Sequence, residues 1–303
     1  MSQPSRSSPF TLTEWAAIAA IIVVWGINNV AAKVATQALP PLFVGGARFV
    51  LALIFLAPFL RPPFPPLKTI LPILLFSGPA HFSLVYLGFA MAKNFSPLVI
   101  SLQLWIPFTA LFAWRILGET MRPLAVMGLA TAFLGVAGMT LDPKAFGDIP
   151  AILAGLVASA MWGLATVLMR RSPSLRPLKT QAMTAVLTAP TLLIGSLAFE
   201  PHLGAAIAHA PPLAWAAIVW AGCVSTLGAT GLLFWLVQRR EPGRVTPFFL
   251  LTPLVSCSLG VFVLGDHISL QVALGGAVAM AGVVLVALSE RRETAATVAP
   301  EPG

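Results

Sequence analysis

Residues 117–139 read LGETMRPLAVMGLATAFLGVAGM, and residues 264–286 read LGDHISLQVALGGAVAMAGVVLV. A shift of 147 positions lays Leu117 on Leu264, Gly118 on Gly265 and Glu119 on Asp266. It also lays Gly128 on Gly275 and Gly135 on Gly282. Glycine makes up 24 of 303 residues, too few for three such coincidences behind a Leu-Gly-acid corner to arise by chance. Upstream, a shift of 137 lays Trp25-Gly26 on Trp162-Gly163 and Lys33 on Arg170. The chain reads as one unit of about 140 residues used twice, and a repeat of that length governs how everything else is read.

Composition fixes the class. A soluble chain carries about a quarter of its residues as Asp, Glu, Lys and Arg. Here the share is 9%, against 58% hydrophobic residues and a mean hydropathy of +0.90. The few charges stand between long apolar runs. That is an all-α polytopic membrane protein, since a helix needs about 20 apolar residues to span. The runs do not alternate as the strands of a membrane barrel would. The net charge of +8 comes from cations scattered in pairs between runs, which encodes topology and argues against nucleic acid as a partner. Cys223 and Cys257 both lie inside apolar runs and read as small core residues, with no disulfide framework and no metal site.

Ten runs of span length are bracketed by charges or proline-rich breaks, at about 14–34, 42–60, 69–91, 97–116, 123–141, 149–169, 180–199, 212–237, 246–264 and 268–288. The first reads as a retained span and anchor. The units fall at 1–145 and 146–290, with a disordered tail at 291–303, and no loop is long enough for a folded extramembrane domain. With the N-terminus in the cytoplasm, fourteen Lys and Arg lie inside, and only Lys33, Lys93 and Lys144 outside. The bias places both termini in the cytoplasm of a multi-pass plasma (inner) membrane protein. Five spans per unit is odd, so the second unit enters the bilayer upside down. Inverted repeats recur in secondary transporters, where either half can play the part of the other.

These residues carry a resemblance. Trp25-Gly26 with Lys33, the Pro-Pro then Arg48 opening of the second run, and the passages from Pro107 to Glu119 and from Pro253 to Asp266 are similar to the drug/metabolite transporter superfamily, in its ten-span EamA-type branch. The likeness covers nearly the whole chain and is nearest to the YddG-type exporters of aromatic and other neutral amino acids. It implies a central cavity lined by spans one, three, four, six, eight and nine, with the fifth and tenth peripheral. The second copy departs from the first in carrying Asp266 for Glu and no clear mate of Arg48.

No run carries Asp or Glu at mid-depth. Buried carboxylates are the usual basis of proton relays and cation sites in membranes, so a cationic substrate is disfavoured. The polar residues left at depth are candidate substrate contacts. Trp25, Asn28 and Asn29 share one helical face, and Trp162 with Thr166 mirrors it in the second copy. Interhelical hydrogen bonding is the structural reading of the amides. His81 and Tyr86 lie mid-span in the third run, where a packing role and a proton-carrying role both stand for His81. In the fourth run an unbroken helix would set Ser101 and Trp105 on one face and Gln103 with Pro107 on another, and the first face is preferred for the cavity. Thr252 is a further candidate beside Pro253. Arg48, about 10 Å from the outer end of its run, is read first as a snorkelling side chain, with a helix C-terminus or a substrate carboxylate as the alternative partners.

The function these features point to is alternating-access export of neutral, aromatic and other apolar amino acids or related small metabolites through an uncharged cavity. The competing reading is a drug or nucleotide-sugar type transporter of the same fold. An enzyme is disfavoured, because only His81 among four histidines is deep in a span and no nucleophile-base pair or ligand cluster joins it. No cofactor is expected. The expected partners are a small-molecule substrate and the lipid bilayer, with the monomer as the working unit.

Overall fold

The computed structural model describes residues 9–172, 175–240 and 245–298. All regular structure among them is helical. The ten long helices are α1 Leu12–Ala38, α2 Pro41–Phe59, α3 Leu67–Met91, α4 Phe95–Leu117, α5 Pro123–Thr140, α6 Ile149–Arg170, α7 Pro177–Phe199, α8 Pro212–Val237, α9 Phe248–Leu264 and α10 Leu270–Val298. Nine are long and apolar enough to cross a bilayer, and α9 is a shorter apolar helix. The last helix continues through Val298, past residue 290 where the sequence reading ends regular structure; residues 299–303 of the expected tail lie outside the described residues. With ten crossings, α1 begins and α10 ends at one face, called the near face below; the other is the far face.

Helix starts follow from local chemistry. Thr11 caps α1 in a capping box with Glu14. The proline-rich breaks place Pro41, Pro123, Pro177 and Pro212 at the first helical position, where a missing N–H removes no bond. Both Leu-Gly-acid corners fold alike. Gly118 and Gly265 are the positive-φ glycines among the described residues, at 72° and 66°. In each copy the acid's N–H bonds the carbonyl six residues back, Glu119 to Ala113 and Asp266 to Gly260.

The repeat is visible in the packing. A Cβ on Gly128 would stand 2.7 Å from the Gly282 carbonyl oxygen, and one on Gly135 would stand 2.2 Å from Ala279 N and 2.6 Å from the Gly275 carbonyl oxygen. The seam between α5 and α10 is therefore antiparallel, and the shift of 147 exchanges its two close approaches. Gly26 of α1 abuts Val255 and Ser256 of α9, while Gly163 of α6 abuts Phe108 and Thr109 of α4. Those contacts are also mates under the two shifts. Small residues let helices approach closely in an apolar solvent, where dispersion and not burial holds them together.

The two copies share an interruption. In α4 the helix breaks at Gln103 and Leu104, and regular helix resumes at Trp105. In α9 a 3₁₀ stretch, Thr246–Leu251, precedes regular helix from Thr252, the mate of Trp105. Pro107 lacks the N–H that would bond the Gln103 carbonyl, and its ring crowds the preceding turn. The backbone tightens instead, with Gln103 N bonding Ile100 O at 3.0 Å and Leu104 N bonding Ser101 O at 3.2 Å. The Ser159 hydroxyl of α6 takes up the Ser101 and Leu102 carbonyls, at 3.0 and 2.9 Å.

Candidate functional site

A cavity of about 670 Å³ lies between the two halves. Its wall runs from Ala32, Phe89 and Val99 towards the far face to Met169, Ser172, Leu175 and Pro177 at the near face. Trp25, Asn28, Asn29, His81, Tyr86, Trp105 and Trp162 all border it. Helices α1, α2, α3, α4, α6, α7 and α8 supply the described wall. The expectation drawn from the resemblance is thus corrected at three places, since α2 and α7 line the cavity and α9 does not. Helix α9 touches it through neighbours: Asn29 donates to Ser256 Oγ at 3.0 Å, and the Phe249 ring packs edge-on against Trp25 at 5.1 Å.

Three candidates stand away from the wall, each for a local reason. The fully buried Ser101 donates to the Leu98 carbonyl at 2.7 Å, and the broken helix turns it onto Gly155 of α6. The same break brings Gln103 and Trp105 to the wall together, so the preference for a Ser101 and Trp105 face fails on its premise of an unbroken helix. Thr166 spends its hydroxyl on the Trp162 carbonyl at 2.8 Å. Thr252 is buried beside Pro253, and its hydroxyl has no partner among the described residues.

The polar wall is organised around aromatic rings. His81 lies 4.9 Å from Trp162 and 4.7 Å from Phe82, centroid to centroid. Its Nδ1 lies 2.8 Å from the Ala158 carbonyl, which can only accept, so Nδ1 carries a proton and its other ring nitrogen, Nε2, is not spent on that bond. Asn28 Oδ1 is buried without a partner among the described residues. No Asp or Glu lines the cavity among the described residues. Arg48 and Gln103, each the less favoured alternative in the sequence, stand at the wall, as do Thr180, Gln181, Thr184, Ser225 and Thr226, which sequence reasoning missed. Pro107 was the signal for Gln103. Arg48 does not snorkel: it is 9% exposed, with its head turned inward onto Tyr86 and Thr226.

At the far face the cavity is shut by charge-assisted caps. Lys33 is buried in α1 instead of lying free outside, and its ammonium donates to the Phe89 and Ala92 carbonyls at the end of α3. Asp266 accepts from Phe95 N and Ser96 N, both at 2.9 Å, at the start of α4. Asp148 accepts from Asn94 N at 3.0 Å and from its side chain at 2.7 Å. Anions at helix N-termini and a cation at a C-terminus are the favourable placements. Phe89 and Phe95 stack beneath them, 5.8 Å apart. At the near face the mates of Lys33 and Asp266, Arg170 and Glu119, bond each other at 2.6 Å with side chains 48% and 33% exposed.

Known proteins place the chain in a family. The sequence profile of the EamA-like transporter family matches residues 13–141 and again residues 149–288. A protein of Salmonella typhimurium (strain LT2) named "Probable amino-acid metabolite efflux pump" is 24% identical over 88% of this chain and 91% of its own length. Its Escherichia coli K12 namesake is 25% identical over the same shares. A Bacillus subtilis protein, "Uncharacterized transporter YvbV", is 26% identical over 93% of each chain. One solved crystal structure shares the fold with a TM-score of 0.61 at 21% identity, covering 95% of this chain and all of that one. A helical membrane chain whose two halves both match the profile, and whose cavity lies between those halves, is a transporter and not an enzyme: the chain belongs to the EamA-like transporter family.

Proposed function

We propose that this chain exports neutral amino acids with aromatic or other apolar side chains, or closely related small metabolites, by alternating access. The observation that carries the reading is the cavity wall, where tryptophan, phenylalanine and histidine rings alternate with amides and hydroxyls and no carboxylate occurs among the described residues. Rings hold an apolar side chain, and amides and hydroxyls meet a polar head. A cation would find no counter-charge there. The relatives named as amino-acid metabolite efflux pumps support the same substrate class.

The asymmetry of the two faces supports alternating access. The cavity reaches the near face, while capped helix ends close the far face. If the arginine-rich near face is cytoplasmic, as the distribution of Lys and Arg supports, this is the inward-open state. Exchanging the conformations of the two inverted halves yields the outward-open one. Purified protein in liposomes is expected to move phenylalanine, tryptophan or leucine in a panel of neutral amino acids, and Trp105→Ala or Trp162→Ala to slow uptake at least tenfold. Uptake of none of the panel by the unmodified protein would sink the substrate assignment. A drug or nucleotide-sugar transporter of the same architecture is the second reading. It is less well supported, because a diphosphate calls for several cations and Arg48 is the one Lys or Arg among the described lining residues.

A further inference from the structure

We propose that Arg48 is the carboxylate-binding group of this transporter, and that it makes a free carboxylate a requirement of the substrate. The inference rests on the transport reading above and deepens it from neutral metabolites to zwitterionic α-amino acids.

The guanidinium is held like a ligand-binding group. Its Nε and Nη2 donate to Thr226 Oγ1 at 3.2 and 3.1 Å, and Nη1 donates to Tyr86 Oη at 3.3 Å. Its carbon lies 5.1 Å from the Phe82 ring centre and 5.7 Å from that of Phe49. Each contact has a structural cause. Helix α8 is π-helical over Trp220–Ala229, a widened turn of the kind frequent at functional sites. In that turn Thr226 donates its own hydroxyl proton to the Ala221 carbonyl five residues back, at 2.7 Å, which leaves its lone pairs to accept from Arg48. Gly222 lets α2 come close, since a Cβ there would stand 2.8 Å from the Arg48 carbonyl oxygen.

The charge is left unanswered. The ion pairs among the described residues are Arg170 with Glu119 and Arg240 with Glu14, and neither involves Arg48. A guanidinium has five N–H groups and does not deprotonate in proteins. Three of them are used here, so two remain for a bidentate acceptor. A buried cation without a counter-charge is costly and is a mark of a functional position inside a membrane. The planar fork fits a carboxylate, which brings one negative charge to one positive one. The unpartnered Asn28 Oδ1 in the same wall is an acceptor suited to the ammonium.

The test measures binding to the full-length protein in nanodiscs, followed by tryptophan fluorescence. The probes are phenylalanine, phenylalaninamide, phenylpropionate, phenylpropionamide and a uridine diphosphate sugar. The unmodified protein is expected to prefer phenylalanine to its amide at least tenfold. Arg48→Gln is expected to weaken phenylalanine at least tenfold and the amide by less, so that the ratio collapses towards one. Thr226→Val keeps the charge but removes the one oxygen that accepts two of the Arg48 hydrogen bonds, and should reduce the ratio part of the way while preserving the fold if Arg48→Gln misfolds. A ratio unchanged in Arg48→Gln, or unchanged in Thr226→Val where only that variant folds, overturns the proposal. If the unmodified protein ignores amino acids yet binds phenylpropionate over phenylpropionamide through Arg48, the amino-acid reading fails and the carboxylate clamp stands. Binding of the nucleotide sugar alone, or of no probe, overturns both.

Discussion

The two faces of the molecule are built from the same short sequence and do opposite things with it. At the far face the corner Leu264-Gly265-Asp266 turns through a left-handed glycine and spends its carboxylate on the first amides of α4, with Lys33 buried alongside. At the near face Leu117-Gly118-Glu119 turns in the same way, yet Glu119 meets only Arg170 among the described residues, and both side chains face solvent in good part. The backbone chemistry is identical, and the difference lies in whether the corner has docked onto the opposite half. A docked corner shuts one end, and an undocked corner leaves the other end open to the cavity.

That contrast can be probed by substitution, from the strongest effect down. Gly135→Leu acts on the antiparallel α5–α10 seam that both faces share, where the obstructing atoms are backbone and cannot yield. Overpacking there should cost about 3 kcal/mol or more. The check is thermal unfolding and monodisperse yield in detergent, with accessibility reduced at neither face in preference to the other. Asp266→Ala leaves two buried amides and the Ser96 hydroxyl without their acceptor. Undocking the far corner should cost about 2 kcal/mol, roughly a thirtyfold shift towards far-side labelling of a cysteine placed at Val99. Lys33→Met removes the cap on two carbonyls and should shift the same labelling about tenfold. Glu119→Gln should change stability by less than about 1 kcal/mol, because an exposed ion pair is screened and entropically costly. An effect of Glu119→Gln as large as that of Asp266→Ala would erase the distinction between the faces.

Much of this was legible before any coordinates. The spans follow from charge-poor runs. The repeated glycines and the twin corners follow from fixed shifts, and the structure folds the corners alike and sets the glycines at close helix approaches. What the sequence left open was rotation and depth. Helical periodicity says which residues share a face, but not which face turns inward, and the lining that the resemblance implies omits α2 and α7. Ser101 and Trp105 were paired on the assumption of a continuous helix, which Pro107 and the freed carbonyls around it undo. The sequence points Arg48 outward because a long cationic side chain in lipid ordinarily escapes to water. Only the π-helical turn that presents Thr226 explains why this one turns in, and no residue pattern announces that turn.

Inversion of the halves is the claim on which the rest depends, and labelling of the two corners tests it most directly. In a background with Cys223 and Cys257 replaced, Thr120→Cys and His267→Cys place one thiol at each corner, at exposed positions that are mates under the shift of 147. Treating intact cells with a membrane-impermeant maleimide should label the cysteine at 267 and leave that at 120 unmodified until the membrane is opened. Labelling of both from the same side would contradict the account.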